Sequence, residues 1–391
     1  MHRQTNFVFS KVKKKPLEIV VNTRLLLKDR LEGIGWFTFE TMKRITNNHP
    51  DDHFVFLFDR DFDEEFLFAD NITPIILSPQ ARHPFLFYWW FEFTVANFLN
   101  KFKPDLFLSP DGYMSLRANC KQLAVIHDLS FEHYPNDVSY IVRKYYKHFF
   151  PKFAQKAERI ATVSEFSKND IIKQYCINSS LIDVVYDGCN EAFQPISEAL
   201  QTATKNKFSQ GNDYFLFVGA LHPRKNISRL FQAFDKFKST QSSNVKLMIV
   251  GEKYYWTREI KMTFINMRFK DDVIFTGRLS TEDLQNVIAS ALAMTYIPYF
   301  EGFGIPILEA FNCDTPLITS NITSMPEVAA DAALLVDPFS VDSISNAMLY
   351  LYKDEEMRNT LISKGRKRRL DFSWDKTADA LWESIEKTVN S

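Results

Sequence analysis

Glu301 and Glu309 flank the stretch Gly302-Phe303-Gly304-Ile305-Pro306, so two carboxylates bracket two glycines and a proline. Gly302 and Gly304 let a ligand or a second backbone come closer than a side chain would permit. Pro306 suits the first turn of a helix, where its missing N–H costs nothing. The N–H groups and the dipole of that helix start favour an anion above the loop. Glu301 then stands before the turn and Glu309 about one helical turn into the helix. A ligand with phosphate at its centre and hydroxyls at both ends satisfies this arrangement, and a nucleotide-sugar has that form.

The same half of the chain contains Phe217-Val218-Gly219 followed by Pro223-Arg224-Lys225-Asn226. A strand, a glycine and an Arg-Lys pair at a helix start make a diphosphate clamp, because a guanidinium binds phosphate oxygens bidentately and the lysine adds a second charge. In isolation the pair reads as two exposed cations on a loop; beside the paired glutamates the clamp is the better reading. In the other half, the apolar run Leu123–Ile126 ends in His127-Asp128. Open α/β sheets bind ligands at the carboxyl ends of their strands. That position alone singles out His127, since a lone histidine is more often structural.

Short apolar runs must form the strands that carry these residues. In the first half they lie at 17–21, 54–58, 75–77, 106–108, 123–126, 159–163 and 182–186. In the second they lie at 214–218, 245–250, 273–276, 293–297, 316–319 and 333–336. Helical patterns alternate with them, including 138–158, 227–237, 257–269, 281–290, 305–312 and 341–352, with two more at 355–369 and 374–387. Ser164 and Ser280 stand where N-caps belong. Gly33-Ile34-Gly35 predicts a glycine turn leading into a helix through Phe37, Phe39, Met42 and Ile45, without the third glycine of a dinucleotide fingerprint. The alternation predicts an α/β chain of two doubly wound domains. Their expected limits are 1–195 and 214–372, with a polar linker at 196–213 and a last helix within 373–391.

Size and composition agree with that reading. A chain of 391 residues exceeds one ordinary core. With 47 basic and 48 acidic side chains, no global charge argues for nucleic acid, and the basic runs Lys11–Lys15 and Lys364–Arg369 read as solvated surface. Four cysteines without paired spacing suggest neither a metal nor a redox site and fit a reduced cytoplasmic compartment. The apolar patch Phe7-Val8-Phe9 is too short for a secretory signal, and no run is long enough to span a bilayer. Asp59-Arg60-Asp61-Phe62-Asp63 reads as a solvated loop rather than a metal site. The aromatic run from Pro84 to Lys101 reads first as a buried helix, because Glu92 and Asn97 interrupt it. Its alternative is a surface for a lipid-linked acceptor or for the inner face of the membrane. No oligomeric state is implied.

From about Leu17 to the last helix, the chain resembles the retaining glycosyltransferases of family four. The most specific match is Glu301-Gly302-Phe303-Gly304 with Glu309-Ala310, the family's paired-glutamate motif. Val218-Gly219, Pro223-Arg224-Lys225-Asn226, Thr276-Gly277-Arg278-Leu279, Met325-Pro326-Glu327-Val328, Val336-Asp337-Pro338 and Phe372-Ser373-Trp374 support it. So do Gly33-Ile34-Gly35, Val125-Ile126-His127-Asp128-Leu129 and Thr162–Ser167. The resemblance implies the GT-B fold, two facing Rossmann-like domains with the last helix crossing back to the first.

It also implies roles. Arg224 and Lys225 hold the donor diphosphate beside Gly219 and stabilise its growing charge. Glu301 binds sugar hydroxyls with the backbone of Gly302, Phe303 and Gly304, and Glu309 holds the ribose. Gly277, Arg278 and Leu279 meet the base near Gly251, Gly35 lies by the diphosphate, and His127 approaches the sugar from the other domain. A GDP- or UDP-linked donor, a glycan or lipid-linked acceptor and no divalent metal are expected. The implied activity is hexosyl transfer, mannosyl or similar, in bacterial surface polysaccharide assembly. Two departures stand out: Ala220 where many members carry arginine, and Trp36-Phe37 where a basic-aromatic pair is common. An epimerase of the same fold would release altered nucleotide-sugar without acceptor, and a non-catalytic binder would be expected to lose part of the intact site. A dehydrogenase is disfavoured by the missing glycine.

Overall fold

The computed structural model describes residues 15–28, 30–253 and 256–391. The lead-in expected over residues 1–16 and the Lys11–Lys15 run lie, apart from Lys15 and Pro16, outside the described residues. The first sheet has seven parallel strands: β1 (Glu18–Asn22), β2 (His53–Phe58), β3 (Ile72–Ile76), β4 (Leu106–Ser109), β5 (Gln122–Val125), β6 (Arg159–Thr162) and β7 (Ile182–Val184). Their spatial order is β3-β2-β1-β4-β5-β6-β7. The second has six: β8 (Tyr214–Val218), β9 (Lys246–Val250), β10 (Val273–Gly277), β11 (Ala293–Tyr296), β12 (Leu317–Ser320) and β13 (Leu334–Val336), in the order β10-β9-β8-β11-β12-β13.

Helices cover both faces of each sheet, so central strands such as β2 and β8 are buried runs rather than alternating ones. In β8 every side chain from Tyr214 to Val218 is buried. In the first sheet the pleat divides the strands between two cores. Ile19, Val21, Phe54 and Phe56 face one, and Val20, Val55, Leu57 and Phe107 face the other. Both sheets reverse their strand order once, between β1 and β4 and between β8 and β11. Such switch points open a crevice at the carboxyl ends of the strands. The loops after β8 and β11 carry Arg224-Lys225 and Glu301.

The last helix, Trp374–Val389, returns to the first domain and packs on helix Gly33–Asn48. Thr377 Oγ1 donates to the Tyr186 carbonyl at 2.7 Å, Ser384 Oγ donates to Asp183 at 2.8 Å, and the Trp382 ring stacks on His49.

Several expectations change. Residues 196–213, between the two sheets, contain a helix that the sequence did not show: Ser197 caps Glu198–Ser209, and Lys207 of that helix pairs with Asp283 at 2.7 Å. Gly33 and Gly35 do not form a turn before a helix. They lie in the first turn of helix Gly33–Asn48, where a Cβ on Gly35 would come within 3.0 Å of the Leu25 carbonyl oxygen. Asp59 is buried rather than solvated, clamped by Arg60 at 2.6 and 2.9 Å and accepting from the Ala81 N–H. The aromatic run forms helices Pro84–Trp89 and Ala96–Phe102 joined by a wider turn at Trp90–Val95. Trp90, Phe91, Val95 and Leu99 are core, whereas Phe85, Tyr88 and Trp89 are exposed.

Candidate active site

Arg224 and Lys225 lie on a single turn, Pro223–Lys225, that His222 caps before helix Ile227–Thr240 begins. Glu301 follows β11 and is 7 % exposed. Arg224 Nη1 and Lys225 Nζ both contact Glu301 Oε1. Lys225 Nζ also donates to Tyr296 Oη at 2.6 Å, and Arg224 Nη1 donates to the Phe300 carbonyl at 3.3 Å. Burial alone would raise the Glu301 carboxyl, but Arg224 and Lys225 outweigh it and hold the group down at about 2. For Arg224 burial acts downward, and Glu301 and Asp128 reverse it, so the guanidinium stays charged. Burial pulls the Lys225 ammonium below its ordinary value, Glu301 opposing and Arg224 adding to the effect.

Glu301 ionises below its unfolded value near 4.5, so its ion pairs add stability that is complete above that value. That stability is lost as the pH falls toward 2.

Glu309 sits in helix Ile305–Asn312, which Gly304 opens with φ of 103° and in which Pro306 occupies the first turn. Its Oε2 is buried and accepts no hydrogen bond from a described residue. Burial, offset in part by Lys225, pushes its carboxyl up to about 7. The sign is opposite to that of Glu301. As the pH rises from 4.5 to about 7 the unfolded chain loses this proton first, and the folded state loses stability. Glu309→Gln is therefore expected to raise the melting temperature relative to wild type at pH 8 and much less at pH 5, read by differential scanning fluorimetry.

The ends of β8, β9 and β10 meet the clamp through glycines. Gly219 N–H bonds to the Val250 carbonyl at 2.9 Å, and Gly251 N–H to the Gly277 carbonyl at 3.0 Å. A Cβ on Gly251, whose φ is 144°, would lie 2.0 Å from the Gly219 oxygen, so only glycine allows this approach. Arg278 is exposed and reaches across to the Leu31 carbonyl at 3.5 Å, while Leu279 packs half-buried on the core. The Phe303 ring turns inward against Phe372 and Tyr186, so its backbone alone is left for a ligand.

From the first domain, His127 donates from Nε2 to the Pro110 carbonyl at 2.8 Å and its ring meets Phe37 edge-on. Burial lowers its pKa more than the Pro110 bond raises it, so the imidazole is neutral at pH 7. Its main chain forms the contact with the glutamate loop. A Cβ on Gly302 would fall 2.2 Å from the His127 carbonyl oxygen. Thus Glu301, Arg224 and Lys225 touch one another, and His127 reaches them through Gly302. Gly35 packs against Leu25 and Leu31.

Several residues at this junction had no assigned role in the sequence. Ser164, recognisable as an N-cap, also donates to the Gly302 carbonyl at 2.6 Å. Glu327 accepts from the N–H groups of Glu165 and Phe166 at 2.7 and 3.0 Å, so a carboxylate of one domain caps a helix of the other. Tyr299 Oη donates to Asp137 at 2.8 Å, and the Phe300 ring packs on His133 and Phe166. Ser324 Oγ holds the Glu301 carbonyl at 2.9 Å. Glu327 stood in a recognisable motif and Tyr296 at a strand end; nothing local identified their partners.

Two facing doubly wound domains with this cleft define the GT-B class. The chain belongs to glycosyltransferase family 4: residues 32–193 match the model described as Glycosyltransferase Family 4, and residues 201–368 match Glycosyl transferases group 1. It is 30% identical over 284 residues to the Escherichia coli O-antigen chain mannosyltransferase B, covering 71% of this chain and 73% of that protein. It is 29% identical over 293 residues to the O-antigen chain mannosyltransferase RfbU of Salmonella typhimurium, covering 74% and 78%. Among solved structures, Anabaena HepE in complex with UDP and glucose superposes with a TM-score of 0.75 at 15% identity, covering 95% of this chain and all of that one (100%). WaaG, a glycosyltransferase involved in lipopolysaccharide biosynthesis, gives 0.70 at 15% identity, covering 92% and 98%. These two likenesses concern the fold. The chain is a glycosyltransferase. None of the helices among the described residues is long and apolar enough to cross a membrane.

Proposed function

We propose that this glycosyltransferase moves a hexose of the mannose type from a GDP- or UDP-linked donor to a glycan or lipid-linked acceptor in bacterial surface polysaccharide assembly. It does so with retention of configuration, without a divalent metal, in the cytoplasm. The convergence of Arg224 and Lys225 on Glu301 at a sheet switch point is the observation that carries the reading. The mannosyltransferase names of the relatives support the choice of sugar and setting.

When donor binds, its diphosphate shares the two cations with Glu301. The bond between the anomeric carbon and the phosphate oxygen breaks, and the charge that collects on the diphosphate falls to Arg224 and Lys225. Those residues take the electrostatic part that a metal plays elsewhere. The acceptor oxygen attacks on the face the phosphate leaves, and its proton passes to that phosphate. Glu301 orients sugar hydroxyls, with neutral His127 on the opposite wall. A ribose hydroxyl donating to Glu309 Oε2 would satisfy an acceptor that is otherwise buried without a partner.

Slow transfer to water tests the reading without knowledge of the acceptor. Proton NMR of the sugar released from GDP-α-mannose and UDP-α-glucose should show the α anomer first. Early release of the β anomer would contradict retention. The rate should persist in excess EDTA; loss on chelation and recovery with magnesium would contradict the metal-free mechanism.

A further inference from the structure

We propose that Asp111, held by Arg24, is a positioning residue that fixes which ring nitrogen His127 offers to the donor sugar. The inference deepens the proposed function, resting on its place for His127 at the sugar wall, and part of its test needs no donor. A carbonyl oxygen can only accept, so the 2.8 Å contact with Pro110 puts the imidazole proton on Nε2. Nδ1 of the neutral ring keeps its lone pair and has no partner among the described residues. A sugar hydroxyl can donate to that nitrogen.

The Pro110 carbonyl must therefore be held in place. It belongs to the middle peptide of a tight turn, closed by the Gly112 N–H donating to the Ser109 carbonyl at 3.3 Å. Rotation of that one peptide, the difference between type I and type II turns, would swing the carbonyl away from His127. The rotated form needs a positive φ at Asp111, a region aspartate enters more readily than most residues. The backbone sequence alone does not prevent it.

The Asp111 side chain opposes the rotation with four bonds. Its Oδ1 accepts from Asn22 Nδ2 at 2.8 Å, Ser109 Oγ at 3.0 Å and the Tyr113 N–H at 3.2 Å. Its Oδ2 accepts from Arg24 Nε at 2.7 Å. Asn22 and Ser109 end β1 and β4, the two strands at which the first sheet reverses. Arg24 and Asp111 are only 7% and 8% exposed, and the guanidinium lies 4.6 Å from the Tyr113 ring centroid and 5.2 Å from that of Phe87. A buried ion pair is seldom more stabilising than apolar side chains of the same volume, but it holds one geometry. The geometry held here is that of the turn whose carbonyl His127 uses.

Two-bond proton–nitrogen NMR of the imidazoles reads the tautomer directly, with the His127 signal identified by its loss in His127→Ala. The wild type should show the Nε2–H form. Arg24→Met/Asp111→Ala removes the anchor without leaving a lone buried charge and should show a mixture of both tautomers. Arg24→Met/Asp111→Asn keeps an oxygen for Asn22, Ser109 and Tyr113 and should recover most of the Nε2–H form. Hexose release should fall at least about tenfold in the alanine variant, because the acceptor nitrogen is no longer aimed. Thermal stabilisation by GDP or UDP should persist, since Arg224, Lys225 and Glu309 lie in the second domain. In the His127→Ala background the same two substitutions should change the rate less than about twofold.

A wild-type Nδ1–H tautomer would overturn the proposal, and that spectrum decides even where a variant fails to fold. A folded alanine variant with the wild-type tautomer, or an equal loss of rate with and without His127, would also overturn it. The expected tautomers in a protein that no nucleotide stabilises would leave the positioning of His127 standing and remove the transferase reading instead.

Discussion

Lys225→Ala is expected to lower the rate of hexose release about 10²- to 10³-fold, because a buried group aimed at developing charge is worth about 2.7–4 kcal/mol in the transition state. The ammonium is buried against Tyr296 and Glu301, where water cannot replace it at the moment the diphosphate departs. The fold should survive the change. Glu301 keeps its contact with Arg224, so no carboxylate is left buried alone. Glu301→Ala should cost turnover on a similar scale, yet it leaves two cations side by side without their counter-charge, and lower stability will accompany it. The lysine variant is therefore the cleaner probe. Initial rates at saturating donor, with circular dichroism as a check on folding, decide the matter. Near-wild-type rates in both variants would contradict the assignment of the site.

Gly302→Ala should lower turnover about 10²-fold for a different reason, since a displacement of about 1 Å at a reacting centre can cost that much. The added Cβ would sit 2.2 Å from the His127 carbonyl oxygen, so the two walls cannot meet as they do here. Ser164 would lose its short bond to the Gly302 carbonyl, and the Glu327 cap on the facing helix would be strained open with it. Arg224, Lys225 and Glu309 all lie in the second domain and are untouched, so nucleotide binding should persist. Small-angle scattering should show a larger radius of gyration for the variant than for the wild type with donor. Equal radii and equal rates would mean that closure through Gly302 does not govern the reaction.

Much of this site can be read in the sequence because its parts are local. Glu301, Gly302, Gly304, Pro306 and Glu309 lie within one loop and helix start, and Arg224 adjoins Lys225, so spacing alone suggests their chemistry. The strands are legible for a related reason: burial on both faces makes each of them a short apolar run. The contacts between domains are not legible. Ser164 and Gly302 are 138 residues apart, and Glu165 and Glu327 are 162 apart, so no pattern within either segment reveals the pair. Helix Glu198–Ser209 escaped detection because it buries only Thr204 and Ser209 and so has no apolar stripe to show periodicity. The glycines at 33 and 35 suggested a loop because glycine is a poor helix former, yet at 35 it is the absence of a side chain, against Leu25, that matters. The aromatic run at 84–101 gave two readings; its core reading holds for Trp90, Phe91, Val95 and Leu99, whereas Phe85, Tyr88 and Trp89 are exposed.

The central claim is that Arg224 and Lys225 hold the diphosphate of a nucleotide-sugar. Thermal shift against GDP-, UDP- and ADP-hexoses, run on the wild type and on Lys225→Ala, tests it most directly, because a ligand that binds the native state raises its melting temperature. At least one nucleotide-hexose should stabilise the wild type, and the same compound should lose most of that effect on Lys225→Ala. Stabilisation by none of them, or by one of them equally in both proteins, would contradict it.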